Sequence, residues 1–303
     1  MRYFIVLCIL LGISYSSPIT PLPLHIKTNS EKVALGKALF FDPLLSRDGT
    51  VSCASCHDIY NGGDDGQKIS TGINGQKGSV NAPTVLNAVF NFRQFWDGRA
   101  KNLQEQAAGP IENPVEMGNT FDNLIKTLKH SSYNKQFLKI YKEGVTKENI
   151  TDAIAEFEKT LITPDTPFDN YLRGDKNAIT QEQQDGYALF QSKGCIACHH
   201  GINVGGNMYN KFGIIVTIQD NNLGRYNVTG NESDKHFFKV PSLRNVVLTA
   251  PYFHNGSVKS LKEAVYFMAK HQVGRPISKE EVTKIVAFLH ALTGNIPQNM
   301  ESH

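Results

Sequence analysis

Two copies of Cys-x-x-Cys-His, at Cys53-Ala-Ser-Cys56-His57 and Cys195-Ile-Ala-Cys198-His199, constrain this chain more than anything else in it. Each is the attachment pattern of a c-type haem, in which two thiols add across the porphyrin vinyl groups and the next residue offers an imidazole to the iron. Together they use four of the five cysteines. A zinc cage built from the two thiol pairs would leave both histidines as coincidences and would join pairs far apart in sequence. A redox dithiol needs only one pair and a βαβ setting, which the sequence does not offer. The chain is therefore read as carrying two covalent haems, with His57 and His199 as proximal iron ligands.

The N-terminus fits that chemistry. Arg2 precedes an apolar run, Phe4 to Ile13, and Ser14-Tyr15-Ser16 resembles a small-residue cleavage site, so residues 1–16 are expected to be a secretory signal. Cys8 would leave with it. The run is too short to span a membrane, and no later stretch is long and apolar enough. Haem attachment of this type occurs outside the bacterial cytoplasm, which makes the periplasm the expected location. Basic and acidic residues, 31 and 28, nearly balance, and nothing forms a basic stripe for nucleic acid.

The chain also repeats itself. Gly36-Lys-Ala-Leu-Phe40 precedes the first haem motif as Gly186-Tyr-Ala-Leu-Phe190 precedes the second, in helical patterns that Ser30 and Thr180 would cap. Downstream, Thr146 to Phe157 matches Ser278 to Leu289; both open with a hydroxyl cap, and apolar residues recur with helical spacing. Each half reads as helix, haem motif, long irregular stretch, closing helix. Thr163-Pro-Asp-Thr-Pro167 breaks the chain between them. The expected fold is mainly α, two cytochrome c-like domains in tandem over 17–165 and 166–303, with strand signals confined to short pieces such as Gly213 to Ile218.

What each iron does depends on its other face. Met268, in a helical stretch from Leu261 to His271, could fold back on the second iron as an axial thioether. The first half has no equivalent, and the carboxylate of Glu116, beside Met117, could serve an open iron as acid–base catalyst.

Further motifs carry a specific resemblance. Phe95-Trp-Asp-Gly-Arg99-Ala-Lys-Asn-Leu-Gln104, Asn113-Pro-Val-Glu116-Met-Gly, Asn81-Ala-Pro-Thr84 and Leu248-Thr-Ala-Pro-Tyr-Phe-His254-Asn-Gly-Ser257 occur in order between about Ala34 and Gly294. In these the chain resembles the bacterial di-haem cytochrome c peroxidases. The resemblance implies reduction of hydrogen peroxide to water with electrons from a small soluble redox protein, a monohaem cytochrome c or a copper protein, and assembly as a homodimer. It makes Glu116 the distal acid–base, Gln104 its polar neighbour and Trp96 an electron conduit between the haems. Met268 becomes the second haem's axial ligand, and Asn81, Thr249 and Pro251 a calcium site between the domains, the last two through carbonyls. His254 falls near the haem interface as a structural residue.

Two other readings are an oxidase that modifies a partner protein, whose members carry a tyrosine on the second iron, and a carrier without catalysis, which would want a sixth ligand on both irons. One departure matters for mechanism. Many relatives carry a histidine between the first haem motif and Asn-Ala-Pro-Thr, which caps the first iron until the second is reduced. Ile73 stands there, and no histidine occurs between His57 and His130. The first iron is therefore expected to be open in the oxidised protein, unless His130 substitutes.

Overall fold

The computed structural model describes residues 17–296, so the signal segment and Met300 lie outside the described residues. The first half contains α1 (Ser30–Phe41), α2 (Leu103–Glu112), α3 (Phe121–Lys129), α4 (Tyr133–Ile140) and α5 (Lys147–Glu158). The second contains α6 (Pro167–Leu172), α7 (Gln181–Ser192), α8 (Tyr226–Thr229), α9 (Leu261–Phe267) and α10 (Lys279–His290). A single antiparallel ribbon pairs β1 (Tyr209–Lys211) with β2 (Phe237–Lys239), Tyr209 opposite Lys239. The fold is mainly helical, as expected. The strand signal at Gly213 to Ile218 is a correction: that segment is loop, and pairing occurs just before it.

The caps are largely those the sequence offers. Thr146, Thr180 and Ser278 each accept a backbone N–H of their helix's first turn, and Thr180 and Ser278 complete capping boxes with Gln183 and Glu281. At α1 the cap is Asn29, whose Oδ1 accepts Lys32 N–H at 3.1 Å, and Ser30 is already helical. Asparagine is as good an N-cap as serine, and it stands one residue earlier.

The repeated glycines explain the repeat. A Cβ on Gly36 would lie 1.8 Å from the Ala153 carbonyl oxygen, and one on Gly186 would lie 1.9 Å from that of Lys284. So α1 crosses α5, and α7 crosses α10, with backbone against backbone, which only glycine permits. Four residues after each glycine a phenylalanine packs across: Phe40 on Phe157 and Phe190 on Phe288, both with ring centroids 5.2 Å apart. Each buried ring contributes roughly 1.5–3 kcal/mol by burial. The structural register makes Phe157 equivalent to Phe288, one residue from the sequence match with Leu289, because the crossing comes a residue sooner after the α10 cap.

Two apolar cores result, one from α1 to Leu161, the other over Phe168–Leu292. The second also takes Ile19, so the start of the described chain packs on the second half rather than in a first domain beginning at residue 17. A fully buried pair holds it there: Arg244 donates to both Asp169 oxygens at 2.9 Å and to the Thr20 carbonyl, while Leu22 N–H donates to Asp169. A buried ion pair is tolerated when every donor is satisfied in this way. Between the cores, Thr163 exchanges hydrogen bonds with Asn87, and its hydroxyl also accepts from Asn245. Both asparagines hold positive φ, 61° and 60°, at matching places in the repeat. No helix among the described residues is long and apolar enough to cross a membrane.

Candidate active site

Each half encloses a cavity with its Cys-x-x-Cys-His motif in the wall. A 3₁₀ turn, Cys53–Ser55 in one and Cys195–Ala197 in the other, presents both thiols and folds the histidine N–H back onto the first cysteine's carbonyl. The first cavity, about 460 Å³, is lined by Cys53, Cys56, His57, Trp96, Arg99 and Glu116 among others. The second, about 540 Å³, has Cys195, Cys198, His199 and Met268 in its wall. Both volumes suit a cofactor.

The donor chemistry fits a haem in each. Burial holds the Cys53 thiol up at about 12 and the Cys56 and Cys195 thiols at about 11, and the two thiol pairs lie in different cavities, so they do not form one zinc cage. Burial pushes His57 below its ordinary value, against the Gly63 carbonyl, whose oxygen lies 3.1 Å from Nδ1; this leaves Nε2 for a metal. Burial takes His199 down to about 4. A Cβ on Gly205 would come within 2.2 Å of the Pro241 oxygen and 3.3 Å of His199 Nδ1, so the backbone closes tightly around that ring. Neutral imidazoles are what an iron requires.

Around the first cavity, Glu116 is half-buried and its Oε1 accepts the Asn113 amide at 2.6 Å. Burial raises its pKa, against the pull of Arg99 and of that amide. A carboxyl held toward its protonated form beside an open cavity is suited to take and return a proton.

Gln104 is not brought to the cavity. It lies on the side of α2 that faces α5 and hydrogen-bonds Asp152, which also receives Lys32 at 2.6 Å and the Tyr141 hydroxyl at 3.0 Å. The residues of α2 that line the cavity are Leu103, Gln106, Ala107 and Pro110, the i, i+3, i+4, i+7 face. Gln106 therefore stands where the resemblance puts Gln104, and the apolar period Leu103, Ala107, Ile111 is the signal that separates the two.

Trp96 lines both cavities, donates Nε1–H to the Asn81 carbonyl at 2.9 Å and stands edge-on to His254 at 6.1 Å. His254 is buried, stacked on Phe238 at 4.0 Å, with Nε2 2.6 Å from Asp220. Asn81, Thr249 and Pro251 all line the second cavity. Met268 begins a π-helical stretch, Met268–Val273, that continues α9 and swells it next to the cavity.

Ile73 is buried, with its N–H on the Glu116 carbonyl. Its loop packs so closely that a Cβ on Gly72 would lie 2.1 Å from the Val115 oxygen. His130 is exposed and its ring caps the end of α3, away from the cavity, so it does not substitute for the missing histidine.

Comparison with known proteins agrees. The model of the di-haem cytochrome c peroxidase family matches residues 30–177, and the cytochrome c model matches residues 183–293. Cytochrome c551 peroxidase of Nitrosomonas europaea is 49% identical over 93% of this chain and 86% of its own length. This chain belongs to the di-haem cytochrome c peroxidase family. Cytochrome c peroxidase Ccp of Escherichia coli is 52% identical over 92% of this chain, which spans 62% of that longer protein. Among solved structures, a MauG-like protein associated with microbial copper homeostasis superposes with a TM-score of 0.80 at 25% identity, covering 93% and 95% of the two chains. The peroxidases are thus much nearer in sequence than this MauG-like protein. Family membership brings two haems and a two-part cytochrome c fold.

Proposed function

We propose that this protein reduces hydrogen peroxide to water in the periplasm, taking two electrons and two protons per peroxide from a small soluble redox protein and the solvent. When bound, the haem of the first half supplies peroxide cleavage and that of the second supplies electron relay. The observation that carries this reading is the asymmetry of the cavities: an acid–base carboxyl in one, a thioether in the other.

In the first half, His57 Nε2 would hold the iron, and the Gly63 carbonyl at Nδ1 fixes its ring. Glu116 takes the proton from the near peroxide oxygen and returns it to the departing one, with Asn113 orienting its carboxyl. Arg99 adds positive charge where negative charge develops, and Gln106 is the polar neighbour. In the second half His199 and Met268 would hold the other iron, a ligand pair that closes a haem to substrate. Trp96 bridges the cavities. Calcium would bind at Asn81, Thr249 and Pro251, where oxygen donors suit a hard cation. Electrons enter where Ile214 and Ile215 stand exposed at the wall of the second cavity, with Val216 exposed next to them in sequence, an apolar surface of the kind a redox partner covers.

The ferric absorption and spin-resonance spectra of the holoprotein, with peroxide turnover before and after half-reduction, test the reading. One high-spin and one low-spin haem, with turnover that needs no prior reduction, is the expected result, because Ile73 cannot cap the first iron. Two low-spin haems at every redox level would leave only a carrier.

A further inference from the structure

Lys239 is the most unusual charged residue in the molecule. It ends β2, it is 5% exposed, and it is one of the residues in the wall of the second cavity. Its backbone is fixed: the N–H donates to the Trp96 carbonyl at 2.8 Å, and the residue sits opposite Tyr209 in the ribbon. Burial alone drags its ammonium down to about 8, with no carboxylate acting in the other direction. Among the described residues it forms no ion pair, in contrast with Arg244, the other deeply buried cation, which Asp169 grips with both oxygens. A buried charge left unpaired is costly enough that folds avoid it.

The cavity lining says what is missing. Its charged residues are Lys239 and Lys211, both from the β1–β2 ribbon, and its wall contains no aspartate or glutamate. The first cavity, in contrast, has Asp97, Glu116 and Glu158 in its wall with only Arg99 as a cation. A cavity offering two lysines and no acid is matched to a ligand with two carboxylates, and a haem carries two propionates. We propose that Lys239 is the charge partner of a propionate of the second haem, with Lys211 serving the other at the cavity's exposed edge. The ribbon then does two things. It neutralises the haem's acidic edge inside the protein, and it sets a fixed positive charge next to Trp96, favouring the reduced form of the second haem and so drawing electrons to the start of the inter-haem path. The proposal rests on the reading of the second cavity as a haem site.

The test uses the holoprotein and its Lys239→Gln and Lys239→Arg variants. Haem content by the pyridine haemochrome assay comes first: two haems per wild-type chain are required by the reading of the cavity, and fewer would overturn that reading rather than this one. Spectroelectrochemistry then gives each haem's midpoint, and resonance Raman gives the propionate bending bands. Lys239→Gln should weaken the second haem's reduction equilibrium about tenfold, about 59 mV for one electron, shift its propionate band and leave the first haem unchanged. Lys239→Arg should restore both signals. Loss of the second haem in Lys239→Gln, with two haems kept in Lys239→Arg, would support the same charge role. Unchanged midpoint and Raman band in Lys239→Gln, or haem loss in both variants, would overturn it.

Discussion

The two halves share a skeleton and differ where it meets the haem cavities. In each, a glycine lets one helix touch the backbone of another, a phenylalanine locks the crossing, and the closing helix turns two side chains toward the cavity. In the first half these are Ile154 and Glu158; in the second, Ile285 and Leu289. The same structural position thus holds an acid in one half and a hydrocarbon in the other. Glu158 is buried, one of its carboxylate oxygens has no hydrogen-bond partner, and burial raises its pKa to about 8. Together with Glu116 it gives the first cavity two carboxyl groups held toward their protonated form, while the second has Met268, two lysines and no carboxylate in its wall. Duplication supplied the frame; a few side chains divided the labour.

The sharpest way to break this contrast is at Glu116. Glu116→Gln keeps the shape and the Asn113 contact but removes the exchangeable proton, so peroxide turnover should fall 10²- to 10⁴-fold with both haem spectra nearly unchanged. Steady-state kinetics with a reduced donor would show this, and retained activity would remove the carboxyl from the mechanism. Next comes the helix phase of α2. Gln106→Ala should lower kcat about tenfold, by loss of roughly one hydrogen bond's worth of stabilisation, whereas Gln104→Ala should leave kcat alone and cost only stability through Asp152. Equal kinetic effects would mean that the cavity face is wrongly assigned.

How much of this was legible in the sequence follows from the same residues. The haem motifs, Glu116, Trp96 and the paired glycines carry their meaning in identity and spacing, and they line the cavities or sit at the helix crossings. Gln104 and Gln106 are chemically identical, so only the phase of the helix separates them, and that phase is set by where Leu103, Ala107 and Ile111 find a core. The ribbon is harder still. Tyr209–Lys211 and Phe237–Lys239 are three-residue strands whose pairing depends on contact across a long loop, and neither shows an alternating pattern long enough to detect. Lys239 looked like any surface lysine until its neighbours were known.

Smaller effects probe the seam between the halves. Stripping calcium with a chelator should slow turnover severalfold by loosening Asn81 against Thr249 and Pro251, while leaving the haem content intact; restored rate on adding calcium back is the check. The smallest effect concerns Glu158. Its native pKa is raised above its unfolded value, so the folded state binds more protons between about pH 4.5 and 8. Its contribution is therefore neutral at low pH and grows unfavourable as pH rises through that window. Glu158→Gln should raise the thermal midpoint at pH 8 and change it little at pH 4, by calorimetry of the holoprotein. No such pH dependence is expected from Leu289→Gln.

The glycine crossings have one more consequence. Where backbone lies on backbone there is no side chain to rotate aside, so neither crossing can absorb slack; each is either seated or open. Any give in this molecule must then come from the long connecting segments, the places where the halves ceased to be copies and became complementary parts of one device.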